Sequence, residues 1–504
     1  MKKFSVFLFA LLATTSMYAW DFKYRGLYFT QGYSNAPGEW IHVAYVTNAG
    51  LANGSTWSDF RYRVQKRRKV IIPPVVVHKG VTYPVYGIAS SAFEGCTPLS
   101  TVTIPNSVRV VGSRAFNGCT SLRSITLSDS IEWISCGAFE RCTSLDSIII
   151  PNSVTIIGAY AFADCSSLKS VILPKGLKTI WERTFFGCSS LDSITIPEGV
   201  TSIKYDAFCN CSSLKHVVIP NGTDSIEYGA FSYCRSLDSI VIPNTVTSIG
   251  SSKIKIDIID ELQKPTFANC QSLKSIVIEE GNPVYDSREN CNAIIETATN
   301  TLIQACQNTI IPEGVEAIRR NAFAGCFSLE HIAIPTSLDS LGWNTFADCF
   351  SLKSIVVKKG NPVYDSRENC NAIIETATNT LVQACQNTII PASVTRIGAF
   401  AFHNCNSITT ITLPEGVIEI EGDAFTGCDS LASISIPHSV TRIHLDAFPL
   451  YQSLTIHYNG TVAEWKRIYQ KGSDRSAISA ISDFFTFTTE ATSHCICTDG
   501  EVDL

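Results

Sequence analysis

Cysteine is the residue type in this chain that could most readily support chemistry. The sequence contains 20 cysteines, and thiolates can bind zinc, act as nucleophiles or pair as disulfides. Zinc is not expected, because Cys209 and Cys211 are separated by a single residue, as are Cys495 and Cys497, and neither pair has a matching second pair at the spacing of zinc ligands. The sequence therefore predicts neither a metal site nor a cofactor.

Many of the cysteines recur at one constant interval, which argues against disulfides between them. Seven follow one another at steps of 23 residues: Cys96, Cys119, Cys142, Cys165, Cys188, Cys211 and Cys234. Equivalent residues in stacked turns have parallel side chains about 4.8 Å apart, whereas disulfides need Cβ atoms that converge to about 3.8 Å. We therefore expect buried thiols that act as small apolar side chains. Two pairs remain candidates for disulfides: Cys291 with Cys306, and Cys370 with Cys385.

Other motifs that carry catalysis are missing from the sequence. It has no nucleophile elbow, zinc-protease helix, phosphate-binding loop or dinucleotide-binding glycine set in a supporting context. His216 and His331 fall at outward strand positions of separate turns, where surface residues are expected. The acidic residues recur with the repeat instead of forming one carboxylate pair of the glycosidase kind. We therefore predict a protein that is not an enzyme.

The regular cysteines mark a repeat that must position every other candidate residue. Its pattern is C-x-x-L-x-x-I-x-I-P-x-x-V-x-x-I-x-x-x-A-F, shown nearly whole by residues 142–165, and a period of about 20–29 residues with this pattern is typical of leucine-rich repeats. The alternating I-x-I segment predicts a short strand, which proline usually ends. A single turn cannot bury its apolar residues alone. We predict a repeat solenoid of about 15 turns of 23 residues, with a long parallel sheet, short second strands, helical turns at Ala-Phe and a β-rich N-terminal cap.

One long segment of the chain occurs twice. Residues 281–312 return at 360–391 with a single difference, Ile303 against Val382. Counting back from the proline places these two residues in the cysteine column, where a small buried apolar side chain would suffice. We therefore interpret each block as one repeat with extra residues, the product of a recent duplication of two turns. Insertions are expected near 281–302 and 360–381, and a third, 251–264, should protrude.

The residue after each leucine forms a column of alternating charge. We take its charged members as candidate ligand-binding residues on the outward face of the sheet: Arg123, Asp146, Lys169, Asp192, Lys215, Asp238, Lys274, Glu330 and Lys353. Gln307 occupies the same column. The alternative is a device for register and solubility, since exposed ion pairs contribute only about 0–1 kcal/mol each. The outward strand residues are mostly Thr, Val and Ile, which fits either sheet stabilisation or a protein-binding surface.

The ends of the chain predict export. Lys2 and Lys3 precede a short apolar run, so residues 1–19 resemble a secretory signal peptide, and no later apolar run is long enough to span a membrane. The net charge of −6 and the low charged fraction of 17% make nucleic acid an unexpected partner. We divide the rest into an N-terminal β cap (20–84), the solenoid (85–458) and a C-terminal cap (459–504). The segment NGTVAEWKRIYQKG predicts a helix, HCICTDGEVDL a final strand, and Lys79-Gly80 a hairpin turn.

The repeat resembles that of the BspA-like leucine-rich repeat proteins, which are exported or surface proteins of anaerobic bacteria and some mucosal protists. The resemblance covers about 85–458 and extends to the segments NPVYDSRENCNAII, YNGTVAEW and CTDGEV. It implies a secreted or cell-surface protein with an adhesin-like role, which binds host matrix proteins such as fibronectin or fibrinogen, or other cells. The alternative is an exported carbohydrate-binding or envelope-structural protein. Aromatic residues in a row would favour sugar binding, whereas Trp133, Trp181 and Trp343 lie in distant turns.

Overall fold

The computed structural model describes residues 22–24, 27–36, 39–47, 68–250, 265–448, 453–470 and 494–503. The predicted signal peptide and the predicted insertion at 251–264 lie outside these ranges. The chain divides into two compact units, Met1–Cys270 and Gln271–Leu504.

The first unit is built from short strands. In chain order they are β1 (Phe22–Tyr24), β2 (Leu27–Ala36), β3 (Glu39–Thr47), β4 (Lys69–Ile71), β5 (Val75–His78), β6 (Val81–Ile88), β7 (Thr101–Thr103), β8 (Val110–Val111), β9 (Ser124–Thr126), β10 (Trp133–Ile134), β11 (Ser147–Ile149), β12 (Ile156–Ile157), β13 (Ser170–Ile172), β14 (Thr179–Ile180), β15 (Ser193–Thr195), β16 (Ser202–Ile203), β17 (His216–Val218), β18 (Ser225–Ile226), β19 (Ser239–Ile242) and β20 (Ser248–Ile249).

The second unit continues the same pattern. Its strands are β21 (Ser275–Ile278), β22 (Tyr285–Asp286), β23 (Ile294–Glu296), β24 (Thr301–Gln304), β25 (Ala317–Ile318), β26 (His331–Ile334), β27 (Ser340–Leu341), β28 (Ser354–Val357), β29 (Tyr364–Asp365), β30 (Ile373–Glu375), β31 (Thr380–Gln383), β32 (Arg396–Ile397), β33 (Thr410–Thr412), β34 (Glu419–Ile420), β35 (Ser433–Ile436), β36 (Arg442–Ile443), β37 (Thr455–Tyr458), β38 (His494–Cys497) and β39 (Gly500–Asp503). Helix α1 spans Val462–Gln470, and single 3₁₀ turns lie at Arg288–Asn290, Arg367–Asn369 and Leu445–Ala447.

Each regular turn contributes one primary strand and one short second strand, as the repeat predicts. Primary strands pair in parallel with a shift of one turn, so Ser147 faces Ser170 and Ile149 faces Ile172. The second strands pair in the same way, Trp133 with Ile156. Within β11 the middle residue is buried and its two neighbours are exposed, because side chains alternate across a strand. The predicted leucine-rich repeat solenoid of about 15 turns is therefore confirmed.

The Ala-Phe segment forms the predicted turn as a single hydrogen-bonded loop. The backbone N–H of Asn117 donates to the carbonyl of Arg114, and that of Cys119 to Phe116, both at 3.1 Å, which is the bonding of a 3₁₀ turn. Arg114 and Gly118 adopt left-handed φ values of 55° and 71°. Because a residue in that region interrupts a right-handed helix, the chain reverses after one turn and returns to the sheet.

Phenylalanine rings form the centre of the core in the first unit. Eight of them stack in a column with neighbouring centroids 5.2–5.6 Å apart and planes within 9° of parallel: Phe93, Phe116, Phe139, Phe162, Phe185, Phe208, Phe231 and Phe267. All are buried. Stacked rings and the surrounding leucines and isoleucines therefore join consecutive turns into one apolar core, which no turn could form alone.

The cysteine column is buried and holds thiols. None of the 20 cysteines is in a disulfide, and several donate a hydrogen bond to the phenylalanine carbonyl of the preceding turn, such as Cys142 Sγ to the Phe116 carbonyl at 3.2 Å. The expectation of buried thiols is confirmed, but the role is wider than an apolar filler, because each such thiol also links two turns. Burial raises the pKa of Cys165 to about 12. Cys291 and Cys306 direct their sulfur atoms at different carbonyls, those of Ala293 and Asn292, so this pair forms no disulfide.

The duplicated block folds as an antiparallel hairpin attached to the second sheet. Strands β22, β23 and β24 pair in order, and β24 then pairs in parallel with β25. The placement of Ile303 in the cysteine column was therefore wrong: Ile303 lies in β24, where Leu302 faces Ile318 of the next turn. The backbone N–H of Ala305 donates to the carbonyl of Ala322 in the next turn at 2.8 Å. In regular turns the phenylalanine of the Ala-Phe segment makes this bond, so Ala305 takes the phenylalanine position. A β-branched residue suits a strand, which explains why valine replaces isoleucine in the second copy.

The polar residues of the duplicated block stabilise its own loop. Arg288 donates from Nε to both carboxylate oxygens of Asp286 at 3.0 and 3.1 Å. The Asn282 side chain accepts from two backbone N–H groups, those of Val284 and Tyr285. The second copy repeats these contacts through Arg367, Asp365 and Asn361. The repetition of the block therefore reflects a structural unit used twice.

Both ends of the solenoid carry additional β structure. Lys79 and Gly80 have φ values of 48° and 82° and connect β5 and β6 as an antiparallel hairpin, as predicted. At the other end α1 begins at a capping box, because Thr461 and Glu464 bond each other's backbone N–H groups. The predicted final strand is instead a hairpin, since β38 pairs with β39 across a turn.

Candidate binding face of the primary sheet

The primary strands expose a face made of three parallel columns, which we call the primary face. The first column is the residue before each strand, the second is the first strand residue and the third is the last outward residue. Asp146, Ser147 and Ile149 represent the three columns in one turn, and all are exposed. The buried Leu145 and Ile148 hold that turn in the core. The repeat therefore presents a charged, a small polar and a β-branched residue side by side.

The structure places every predicted ligand-binding residue in the first column. All nine are exposed: Arg123, Asp146, Lys169, Asp192, Lys215, Asp238, Lys274, Glu330 and Lys353. Backbone hydrogen bonds connect neighbours along the column. The N–H of Lys169 donates to the backbone carbonyl of Asp146 at 2.9 Å, and that of Lys215 to the backbone carbonyl of Asp192 at 3.0 Å. Side chains of opposite charge consequently alternate from turn to turn within the first unit.

Among the residues that the structure describes, the acidic members of the column in the first unit have local partners, whereas its basic members form no ion pair. Asp146, Asp192 and Asp238 each accept from the hydroxyl of the following serine at 3.2 Å, and His216 lies 3.6 Å from Asp238. Within the described ranges, no ion pair closer than 4 Å involves Arg123, Lys169 or Lys215 of the first unit, or Lys274 of the second. In the second unit, Lys353 pairs with Glu330 at 3.3 Å. Ion pairs along the chain therefore do not account for the alternation in the first unit.

Apolar side chains project beside the charges. In the third column of the first unit, Ile149 is 66%, Ile172 58% and Val218 70% exposed. Isolated exposed apolar residues are ordinary, whereas a large contiguous apolar patch is typical of interaction surfaces. The third column of this unit combines five apolar residues with three threonines, all β-branched: Ile71, Thr103, Thr126, Ile149, Ile172, Thr195, Val218 and Val241.

The second unit interrupts the charged column. Gln307 was expected at the surface, yet it is buried: its amide donates to Gly325 at 3.1 Å and its carbonyl oxygen accepts from Ser328 at 2.8 Å. The shortened turn after the hairpin draws this residue into the core. The β-branched column persists there, with Ile310 70% and Ile389 71% exposed.

The sequence interpretation missed an aromatic cluster on the other side of the first unit. The Arg183 guanidinium lies 5.7 Å from the ring centroid of Tyr160 and 5.8 Å from that of Tyr205, and it pairs with Asp206 at 2.9 Å. Tyr205 and Tyr228 stack at 5.2 Å. Tyrosines exactly one repeat apart could have indicated the stack. Arg183 and Tyr228 therefore both lie against the Tyr205 ring.

One small pocket lies in the second unit beside His403. Burial lowers the pKa of His403, so the imidazole is neutral near pH 7, and Cys349, Gln383 and Cys405 are among its neighbours in the pocket wall. Among the residues that the structure describes, no group of three or more His, Cys, Asp or Glu side chains is arranged to hold a metal ion.

The chain belongs to the family described as the BspA type leucine-rich repeat region. The family model matches residues 86–215, 132–255, 212–300, 300–370 and 381–495. No curated protein matches the chain.

Solved structures of leucine-rich repeat proteins resemble the chain. A leucine-rich cell surface protein from Faecalibacterium prausnitzii is 27% identical, with 91% of this chain and 98% of that chain covered and a TM-score of 0.54. A leucine-rich repeat protein from Bacteroides ovatus is 24% identical over 88% and 97%, with a TM-score of 0.44. The pneumococcal vaccine antigen PcpA is 18% identical over 90% and 96%, with a TM-score of 0.45. In the described part of the chain, no helix combines the length and apolar character needed to cross a bilayer.

Proposed function

We propose that this chain is a non-catalytic, secreted or cell-surface protein with an adhesin-like role, which binds extracellular or host matrix proteins, or other cells, through its primary face. The observation that carries the proposal is the row of exposed β-branched side chains beside a column of exposed, alternating charges. Such a surface combines apolar contact area with charges that orient a partner. Family membership supports the extracellular setting, since the similar protein from Faecalibacterium prausnitzii is described as a cell surface protein.

The test compares two matched variants of the mature chain on immobilised matrix proteins and glycans. The face variant combines Lys169→Ala with Ile172→Ser, and the control combines Lys178→Ala with Ile156→Ser on the second-strand side, where both residues are also exposed. We expect the face variant to lose about tenfold or more in affinity, a loss of roughly 1.4 kcal/mol, and the control to bind like the wild type. Equal losses in both variants would overturn the assignment to the primary face. Binding to glycans alone would favour the exported carbohydrate-binding alternative.

A further inference from the structure

Six consecutive turns of the first unit carry an uninterrupted alternation of exposed charges, which we call the charge ladder. Its members are Arg123, Asp146, Lys169, Asp192, Lys215 and Asp238. Within the first unit the ladder begins with a cation and ends with an anion, and Lys274, the next member of the column, belongs to the second unit. In the turn before it, Ser100 takes the same position and its hydroxyl donates to the Arg68 carbonyl at 2.8 Å.

These properties make the ladder complementary to itself. When two copies face each other across a two-fold axis parallel to the strands, strand direction is kept and the order of turns is reversed. With the axis between the turns of Lys169 and Asp192, Lys169 opposes Asp192, Asp146 opposes Lys215, and Arg123 opposes Asp238. Each contact occurs twice, as in any two-fold interface, so all six charges of each copy meet an opposite charge.

The ladder also excludes every register that is displaced by an odd number of turns. Moving the two copies by a single turn places Lys169 opposite the second Lys169 and Asp146 opposite the second Asp192, so every contact becomes repulsive. Moving them by two turns restores attraction and leaves four contacts within the first unit. Because juxtaposed like charges exclude wrong arrangements, the centred register is favoured over its neighbours.

The apolar column fits the same arrangement. The axis that pairs the charges also places Ile149 opposite Val218, Ile172 opposite Thr195 and Thr126 opposite Val241. Exposed β-branched side chains would thus contact each other beside the charged row, and their burial provides the non-directional part of the attraction.

We propose that a second copy of this chain docks on the primary face of the first unit through this two-fold, charge-matched contact. The inference rests on the proposed use of the primary face for binding and names one partner for it. Six turns spaced at about 4.8 Å, with a width near 15 Å, give roughly 400 Å² per copy, against about 800 Å² per partner in a standard interface. The contact is therefore weak, and salt weakens it further because its charges are exposed.

Two charge reversals test the contact in the full mature chain. In Lys169→Asp, the new carboxylate faces Asp192 of the other copy; in Asp192→Lys, the new ammonium faces Lys169. Each variant alone has two like-charge contacts at the centre of its dimer. When the two variants are mixed, the heterodimer has six opposite-charge contacts again. An effect confined to each chain's own turns could not be rescued by mixing, so rescue identifies a contact between copies.

Sedimentation velocity at low salt, up to the highest soluble concentration, provides the readout. We expect the wild type to dimerise, each variant to raise the dissociation constant about tenfold or more, and the equimolar mixture to regain the wild-type mass. The matched controls Lys178→Asp and Asp224→Lys, which change exposed charges outside the primary face, should dimerise like the wild type. Circular dichroism melting verifies that every variant is folded.

Two outcomes would overturn the proposal: a wild type that stays monomeric at all these concentrations, or a mixture that does not recover. Either outcome is separable from failure of the proposed function, because a monomeric wild type that still binds matrix proteins through Lys169 and Ile172 would leave that function intact.

Discussion

Truncation of Phe208 to alanine tests whether stacked rings hold the turns together. Phe208 is fully buried, and its ring centroid lies 5.4 Å from that of Phe185 and 5.2 Å from that of Phe231. Removing a buried phenylalanine costs about 3–5 kcal/mol, and each lost ring contact contributes roughly 0.5–1.5 kcal/mol of the total. The expected loss is near the upper end of that range, because neighbours on both sides lose their partner.

Urea unfolding of the mature chain, followed by circular dichroism, measures this loss. With a slope of about 3 kcal/mol/M, the midpoint of the transition that includes this turn should fall by about 1 M or more. Leu214→Ala also removes a buried core side chain. It should cost about 2–5 kcal/mol of stability and lower the urea midpoint by a similar amount. The control is His216→Ala, whose side chain is 70% exposed and which should change stability by less than about 0.5 kcal/mol. Equal shifts in all three variants would refute the assignment of core and surface columns.

Three further predictions concern the thiols, the duplicated block and the C-terminal helix. All 20 cysteines should react with a thiol reagent in denatured, unreduced protein, whereas only the exposed Cys136 should react rapidly in the native protein; fewer than half reactive on denaturation would contradict this. Ile303→Val should cost less than about 1.5 kcal/mol by urea unfolding, since the other copy already has valine, and a larger loss would show that the two copies differ in packing. Hydrogen bonds from Thr461 and His438 lower the pKa of Glu464 to about 2, so its contribution to α1 should be complete above pH 4.5 and disappear as the pH falls toward 2. Because the chain has seven tryptophans, the difference in fluorescence between the wild type and Trp465→Phe, followed against pH, reports on this helix, and an unchanged profile in Glu464→Gln would contradict the assignment.

Most of the fold could be predicted from the sequence because the repeat is strict. The 23-residue interval fixes which residues share a column, and the alternation around Ile148 fixes which side of the strand enters the core. The exposure of the charged column, from Arg123 onward, followed from the same alternation. A constant period therefore carries both the architecture and the orientation of the primary face.

The sequence was least informative where turn length changes. Counting from proline assumed that every turn has the same path, but the hairpin formed by β22–β24 shortens the following turn, so Ile303 and Gln307 were misplaced. Hydrogen bonds between turns were also beyond reach, because the direction of Cys142 Sγ toward the Phe116 carbonyl depends on how the turns stack. The Arg183 cluster was missed for the same reason, since its members come from several turns and differ in type.

The central claim is that the primary face of the array is the binding surface. Carbene footprinting of the mature chain, with and without a matrix protein that it binds, tests this claim most directly, because it labels exposed side chains and can be read residue by residue. We expect protection at Ile149, Ile172 and Val218, and unchanged labelling at Ile156 on the second-strand side. Protection confined to Ile156 and its neighbours, or to the insertion at 251–264, would contradict the claim.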